Sequence, residues 1–177
     1  MIQVFTTGGT IDKVYFDAQS EFEVGDPLVA EILQTAGVQV PFEVDVIFRK
    51  DSLAINEEDR LHVADRIVAS EADRILVTHG TDTMVQTAQA VADALLDVAD
   101  GAGFQRTVVF VGSLTPARFR QSDAEFNVGF AWSAVQTLPP GVYVAMNGRF
   151  FDARGVRKNR SRNRFEDTRS KATVEPG

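Results

Sequence analysis

Five short apolar runs, rich in β-branched residues and separated by helix-like segments, set the tightest limit on how this chain of 177 residues can fold. The runs occupy residues 2–6, 44–48, 74–78, 107–111 and 142–146. Near-continuous apolar strands that alternate with helices are typical of a parallel sheet covered on both faces. The pattern therefore predicts one α/β domain with a doubly wound, mainly parallel sheet of the Rossmann or flavodoxin type.

Four segments between these runs have helical patterns. Asp26 and Pro27 predict the start of the first helix, as N-cap and first-turn proline. Asn56, followed by three acidic residues, predicts the start of the second, because carboxylates in a first turn complement the helix dipole. We expect the third helix to begin near Asp82 and the fourth to cover about 121–137.

Charge is distributed unevenly within the net charge of −7, since residues 1–148 hold 9 Lys and Arg against 21 Asp and Glu, whereas residues 149–177 hold 9 against 4. The acidic body argues against a nucleic-acid partner, because nucleic-acid binding draws its affinity from basic surface. Near the C-terminus, apolar residues no longer recur at the spacing of a helix or a strand. We therefore expect the domain to span residues 1–160 and residues 161–177 to form a basic, flexible tail.

Three interpretations of the arginine-rich stretch at residues 154–164 remain open. It is a solvated surface, a site for RNA or another acidic partner, or a contact with the acidic body of a neighbouring subunit. Loss of RNA binding with rising salt distinguishes the second interpretation.

The chain has no cysteine, which excludes disulfides and thiolate chemistry and fits a reducing compartment. No apolar run approaches the roughly 18 residues of a membrane span, and the N-terminus lacks a secretory leader pattern. A cytoplasmic protein without a membrane partner is expected. Because the only histidines, His62 and His79, are far apart in sequence, we expect no metal site and no cofactor.

Two of the apolar runs end in similar polar loops, which read TGGTID at residues 7–12 and THGTDTM at residues 78–84. Glycine lets backbone amides approach a ligand closely, and a threonine hydroxyl can attack once a base takes its proton. Ligands of open α/β sheets bind beyond the carboxyl ends of the strands, so the loops predict an active site. Neither GxGxxG nor GxxxxGK[ST] occurs, which disfavours a phosphate cradle.

The two loops resemble the signature motifs of the bacterial-type L-asparaginase family. The resemblance continues through residues 51–52, 111–113 and 155–158, and it covers the chain to about residue 160. It corresponds to the family's N-terminal domain alone, as in the short single-domain bacterial L-asparaginases. It implies an amidohydrolase that converts L-asparagine and water to L-aspartate and ammonia through a threonine nucleophile and an acyl-enzyme.

The resemblance also implies roles for individual residues. Thr10 would attack the side-chain amide, and Thr81, Asp82 and Lys158 would complete the catalytic machinery. A threonine hydroxyl is almost wholly protonated at neutral pH and needs a base, which a lysine amine can supply. The family's flap tyrosine corresponds to Phe22 here, so Tyr15 is expected to replace it.

Substrate binding is assigned by the same resemblance and by charge. Asp82 suits the α-ammonium group of an amino acid, and Ser52 suits its α-carboxylate. Backbone amides of the glycine loops would hold the developing oxyanion. The remaining substrate-binding residues implied by the matching segments are Asp51, Gly9, Gly80 and Ser113. Asp12 is expected to brace its loop and receives no catalytic role.

Two other functions stay open. One is an amidase domain that supplies ammonia to a tRNA-dependent amidotransferase, and the other is a small-molecule binding module without turnover. L-Glutamine remains a second candidate substrate, because a pocket distinguishes one methylene by only about 1–3 kcal/mol. By resemblance we expect a homo-oligomer, either a dimer or a tetramer.

Overall fold

A computed structural model of the chain describes residues 1–16 and 21–168. A six-stranded sheet forms the centre of the molecule, and two small hairpins lie outside it. The strands are β1 Ile2–Gly8, β2 Lys13–Phe16, β3 Glu21–Val24, β4 Phe42–Lys50, β5 Arg74–Thr78, β6 Thr107–Val111, β7 Gly141–Met146, β8 Arg149–Asp152, β9 Val156–Asn159 and β10 Arg164–Asp167. The helices are α1 Val29–Thr35, α2 Glu57–Val68, α3 Met84–Val98 and α4 Ala124–Thr137.

The main sheet has the strand order β4-β1-β5-β6-β7-β8. Neighbouring strands are parallel from β4 to β7, and β8 alone runs antiparallel to its neighbour β7. All five apolar runs of the sequence are strands of this sheet, which confirms the predicted doubly wound α/β fold. The order changes direction at β1, because the next strand of the sheet, β4, lies on one side of it and β5 on the other.

Helices cover both faces of the sheet, and each face has its own apolar core. The first core joins the sheet to α2 and α3, with Ile67 and Val91 fully buried. The second joins it to α1 and α4, with Leu33 and Val128 buried. Strands covered on both faces cannot alternate apolar and polar residues, which explains the continuous apolar runs.

The start of α1 differs from the sequence-based expectation, whereas the start of α2 agrees with it. Leu28, not Asp26, precedes α1, and its N–H donates to the Asp12 carboxylate at 3.0 Å. Asp26 instead pairs with Arg49 at 2.8 Å. The cap of α1 therefore comes from a distant turn. Asn56 caps α2 as predicted, within a complete capping box.

The packed part of the chain extends beyond the boundary expected at residue 160. Strand β10 pairs antiparallel with β9, and Phe165 on β10 is buried in the first core. The Phe165 N–H also donates to the Asn147 side chain at 3.2 Å. One inward apolar residue between charged neighbours gives no repeating pattern of apolar residues, so the sequence did not reveal this strand. Residues 169–177 of the expected tail lie outside the described part.

Several residues of the arginine-rich stretch pair with carboxylates of the same chain. Arg154 contacts Asp93, and both Arg157 and Arg164 contact Glu166. Within residues 1–16 and 21–168, no helix has the length and apolar character needed to cross a bilayer.

Candidate active site

The two signature loops leave neighbouring strands at the same edge of the sheet. Thr6 near the end of β1 is the register partner of Thr78 at the end of β5. The loop that contains Ser52 follows β4, on the other side of β1. All three loops therefore meet where the strand order changes direction, the position at which open α/β sheets bind ligands.

Close backbone packing joins the loops. Gly9 has a φ of +94°, and a Cβ on it would lie 2.4 Å from the backbone of Gly80. A Cβ on Gly80 would in turn lie 2.5 Å from the Cβ of Ser52, which is buried. The structure thus brings three of the predicted substrate-binding residues into contact, and the glycines are required because no side chain fits between the loops.

Lys158 completes the second loop from a distant part of the sequence. Its Nζ lies 2.8 Å from the Thr81 hydroxyl and 2.9 Å from the Asp82 carboxylate. The lysine side chain is 11% exposed, so these contacts hold it in a largely buried position. Lys158 is the register partner of Phe165, whose burial in the core anchors the β9–β10 hairpin. The β9–β10 hairpin, which crosses the domain boundary expected at residue 160, is therefore the element that positions Lys158.

Thr10 begins the short 3-10 turn Thr10–Asp12 directly after Gly9. It is partly exposed, and its hydroxyl has no hydrogen-bond partner among the described residues. The turn follows the backbone contact between Gly9 and Gly80, which places Thr10 next to the second loop. A partly exposed threonine without a partner can meet a substrate.

Tyr15 and Phe22 are register partners in the β2–β3 hairpin. Their side chains fall outside the described part of the chain, so the expected replacement of a flap tyrosine by Tyr15 stays a prediction.

The side chains of Asp51 and Ser113 are both engaged within the chain. The Asp51 carboxylate lies 2.6 Å from the Lys13 Nζ and accepts the Leu53 N–H at 3.0 Å. Ser113 is buried, and its hydroxyl donates to the Thr115 carbonyl at 2.6 Å. Their part in substrate binding stays a prediction, and in this structure their contacts brace the loops beside Ser52 and Gly112.

Two threonines to which the sequence analysis gave no role connect these loops. The Thr7 hydroxyl donates to the Thr78 carbonyl at 3.0 Å, and the Thr83 hydroxyl donates to the Ser52 carbonyl at 2.7 Å. Both threonines belong to the signature motifs, and this membership was the one feature of the sequence that could have indicated a role for them. Arg160 also reaches the site, with its Nε 3.9 Å from the Asp82 carboxylate.

His79 is fully buried beneath the second loop, whereas His62 is exposed on α2. The Nδ1 of His79 lies 2.8 Å from the Gly80 carbonyl, so this nitrogen carries the proton and donates it. Burial and, to a smaller extent, the nearby Arg60 charge lower the pKa of His79 to about 4, against the raising effect of the hydrogen bond to Gly80. The imidazole is neutral at physiological pH and braces the loop.

This pKa predicts a loss of stability in acid. The unfolded chain takes up a proton on His79 below its ordinary pKa of 6.5, whereas the folded chain resists protonation down to about 4. The contribution of His79 is therefore present above pH 6.5 and is lost as the pH falls to 4, by roughly 3 kcal/mol in total. Urea unfolding of wild type and His79→Asn at several pH values measures it. A difference between the two proteins that does not change with pH would contradict the prediction.

Substitution of Gly9 tests the close packing of the loops. Alanine at Gly9 is expected to destabilise the fold by about 3 kcal/mol or more, because overpacking against the Gly80 backbone adds to the strain of a positive φ. Gly101 is the matched control, since its φ is +82° and no atom lies within 4 Å of an added Cβ. Gly101→Ala should cost only the strain of about 1–2 kcal/mol. Equal losses in urea unfolding would refute the contact.

Comparisons with known proteins agree with the fold. The family model described as "Asparaginase, N-terminal" matches residues 1–172. The L-asparaginase of Thermococcus kodakarensis is 32% identical over 149 residues, which are 80% of this chain and 42% of that protein. A solved structure of the thermostable L-asparaginase from Thermococcus kodakarensis superposes with a TM-score of 0.74 at 26% identity, over 94% of this chain and 50% of that one.

A relative with another name is similar to almost the same degree. This relative, a glutamyl-tRNA(Gln) amidotransferase component from Thermoplasma acidophilum, is 30% identical over 159 residues, which are 85% of this chain and 36% of that protein. The chain therefore spans less than half the length of the two curated relatives. The family match, the fold and the meeting of the signature loops lead to one conclusion: the chain belongs to the asparaginase family and corresponds to its N-terminal domain.

Proposed function

We propose that this chain is an amidohydrolase that converts L-asparagine and water to L-aspartate and ammonia through an acyl-enzyme on Thr10. The observation that carries the proposal is the contact of Lys158 with both Thr81 and Asp82, at 2.8 and 2.9 Å, in the loop beside the Thr10 turn. This contact brings a hydroxyl, a carboxylate and an amine together where the strand order of the sheet changes direction. These are the groups that proton transfer to and from an amide requires.

The proposed reaction has two halves. The Thr10 oxygen attacks the carboxamide carbon while the hydroxyl proton passes to a base, and the tetrahedral intermediate expels ammonia after protonation of its nitrogen. A water molecule then attacks the resulting ester, and cleavage of the ester returns the proton to Thr10 and releases aspartate. Thr81 and Lys158 move protons in both halves. Backbone amides of the glycine loops stabilise the oxyanion, each by about 3 kcal/mol.

Recognition of the substrate uses the charges of the site. The Asp82 carboxylate is 35% exposed and can accept an α-ammonium group while it remains bonded to Lys158. The Ser52 hydroxyl suits the α-carboxylate. We propose L-glutamine as a second candidate substrate, Tyr15 as an aid to Thr10, a homo-oligomeric assembly and a cytoplasmic location. The absence of cysteine fits a reducing compartment.

Similarity to the amidotransferase component supports a second candidate function. In that case the same threonine chemistry would release ammonia for transfer within a larger complex instead of into solution. The two functions differ in what is expected to stimulate ammonia release, because under the second function we expect release to depend on a partner and on tRNA.

Ammonia release from L-asparagine and L-glutamine by the purified chain tests the proposal, together with identification of the amino-acid product. Size-exclusion chromatography with light scattering gives the oligomeric state in the same samples. We expect aspartate and ammonia in equal amounts without any addition. Ammonia release that requires added tRNA and a partner would favour the second function, and no release under either condition would refute both.

A further inference from the structure

Asp12 is a buried carboxylate close to Thr10 that the proposed reaction does not use. It is 1% exposed and ends the turn that Thr10 begins. Its Oδ1 accepts the Leu28 N–H at 3.0 Å, whereas its Oδ2 has no hydrogen-bond partner among the described residues. A buried carboxylate oxygen without a partner costs free energy that a neutral side chain would avoid.

Three segments of the fold are bonded to this one residue. The Asp12 N–H donates to the Gly9 carbonyl at 3.2 Å and closes the turn around Thr10. The Asp12 carbonyl accepts the Gly25 N–H at 2.8 Å, at the base of the β2–β3 hairpin. Its side chain holds Leu28 at the start of α1. Asp12 is therefore the junction of three segments: the turn Thr10–Asp12, called the nucleophile turn below, the base of the β2–β3 hairpin, and α1.

The residues on either side of Asp12 are also fixed. The Ile11 carbonyl accepts the Ala117 N–H at 3.1 Å, and Lys13 pairs with Asp51 at 2.6 Å, next to Ser52. Among these contacts, the bond from Asp12 to Leu28 is the one that ties the turn to a helix through a side chain. Its strength depends on whether the carboxyl group is ionised, because hydrogen bonds to charged acceptors are stronger.

We propose that Asp12 is a positioning residue, which acts on the reaction through Thr10 by anchoring the nucleophile turn to α1 and to the base of the hairpin. The inference rests on the proposed function. Attack requires the nucleophilic oxygen to lie about 3–3.5 Å from the reacting carbon, and a displacement of about 1 Å costs about 100-fold in rate. The anchor should therefore govern kcat more than KM.

The strength of the anchor depends on pH. Burial raises the pKa of Asp12 to about 6, against the lowering effects of the Leu28 amide and of the Arg49 charge. Arg49 on β4, whose charge acts on this carboxyl group, is itself paired with Asp26 at 2.8 Å. As the pH falls through 6, Asp12 takes up a proton, its bond to Leu28 weakens and kcat decreases.

Stability responds in the opposite direction. A carboxyl group whose folded pKa lies above its ordinary value of 3.8 is protonated more readily in the folded chain. Its contribution to stability is therefore present below pH 3.8 and is lost as the pH rises through 6. As the pH falls, protonation of Asp12 should therefore lower kcat while it stabilises the folded chain. A residue that served stability alone would not produce these two opposite changes.

Asp12→Asn and Asp12→Ala test the inference through kcat and KM for L-asparagine between pH 5 and 8. Asparagine keeps an oxygen for the Leu28 N–H but does not titrate, so Asp12→Asn should retain kcat within about tenfold and lose the decrease near pH 6. Alanine removes the anchor, and we expect kcat to fall about 100-fold with a smaller change in KM. Asp152→Asn is the control, because Asp152 also accepts a backbone N–H, from Arg154, in the turn after β8.

Each result decides the inference. A wild-type kcat in Asp12→Ala, or a decrease near pH 6 that persists in Asp12→Asn, would overturn it and leave the proposed function in place. If Asp12→Ala does not fold, the pH profile of Asp12→Asn decides alone. A wild-type protein that releases no ammonia would refute the proposed function, and the inference would fail with it.

Discussion

Replacing Thr10 with alanine is expected to abolish ammonia release, with kcat reduced on the order of 10⁴-fold or more, because the covalent route loses its nucleophile. Stability should change little, since the Thr10 hydroxyl has no hydrogen-bond partner among the described residues. Steady-state ammonia assays measure kcat, and thermal unfolding confirms that the variant folds. Residual activity at this low level would come from binding and oxyanion stabilisation alone.

Two further variants of threonine make the Thr10 test specific. Thr10→Ser keeps a hydroxyl and should retain part of the activity. Thr137→Ala is a control, because Thr137 is exposed at the end of α4 and its hydroxyl bonds to the Ser133 carbonyl of the same helix. Mass spectrometry of the acid-quenched wild type should locate an ester on the peptide that contains Thr10. Full activity of Thr10→Ala would refute the covalent mechanism.

Replacing Lys158 with methionine is expected to reduce kcat about 10²–10⁴-fold, the usual contribution of a positioned proton-transfer group. Methionine has a similar length and fills the largely buried position without an amine. The change removes the partner of both Thr81 and Asp82, so part of the loss reflects a disturbed loop. Measurement of kcat and KM in parallel separates the chemical loss from weaker binding.

Lys158→Arg distinguishes proton transfer from positive charge. Arginine keeps the charge beside Asp82 but remains protonated at all ordinary pH values, so it cannot exchange a proton with Thr81. We expect Lys158→Arg to be nearly as inactive as Lys158→Met. Lys50→Met is the matched control, because Lys50 also bonds to an aspartate, Asp59 at 2.7 Å, outside the candidate site. Recovery of activity in Lys158→Arg would assign the lysine a purely electrostatic role.

Parts of the fold that depend on local pattern could be predicted. The five apolar runs became strands, and the polar side chains around Asn56 formed the expected cap, because both features arise from residues close together in sequence. The start of α1 could not be predicted in this way, since its first amide is bonded to Asp12, 16 residues earlier in the chain. Strand β10 escaped prediction because Phe165 is a single apolar residue among charged ones.

The candidate site shows the same division. The residue types of the two loops were sufficient to propose an active site there, since hydroxyls and carboxylates after buried strands belong to a ligand-binding edge. The roles of Thr10, Thr81 and Asp82 within that site came from the family resemblance. Lys158 was assigned only through the family resemblance. The engagement of Ser113 with Thr115, and of Asp51 with Lys13, could not be read from the chain because it depends on side-chain rotamers in the folded loops.

The sequence by itself determined the class of fold and the polar groups that the two loops carry, because hydrophobic pattern and residue type are local properties of the chain. The tertiary structure alone decided which groups meet: Lys158 lies 77 residues from Thr81 in sequence, and Gly9 packs against Gly80. Such contacts follow from the order of strands in the sheet and from the burial of Phe165, which fixes the hairpin that carries Lys158. The site therefore depends on packing between residues far apart in sequence, which no short segment of the chain reveals.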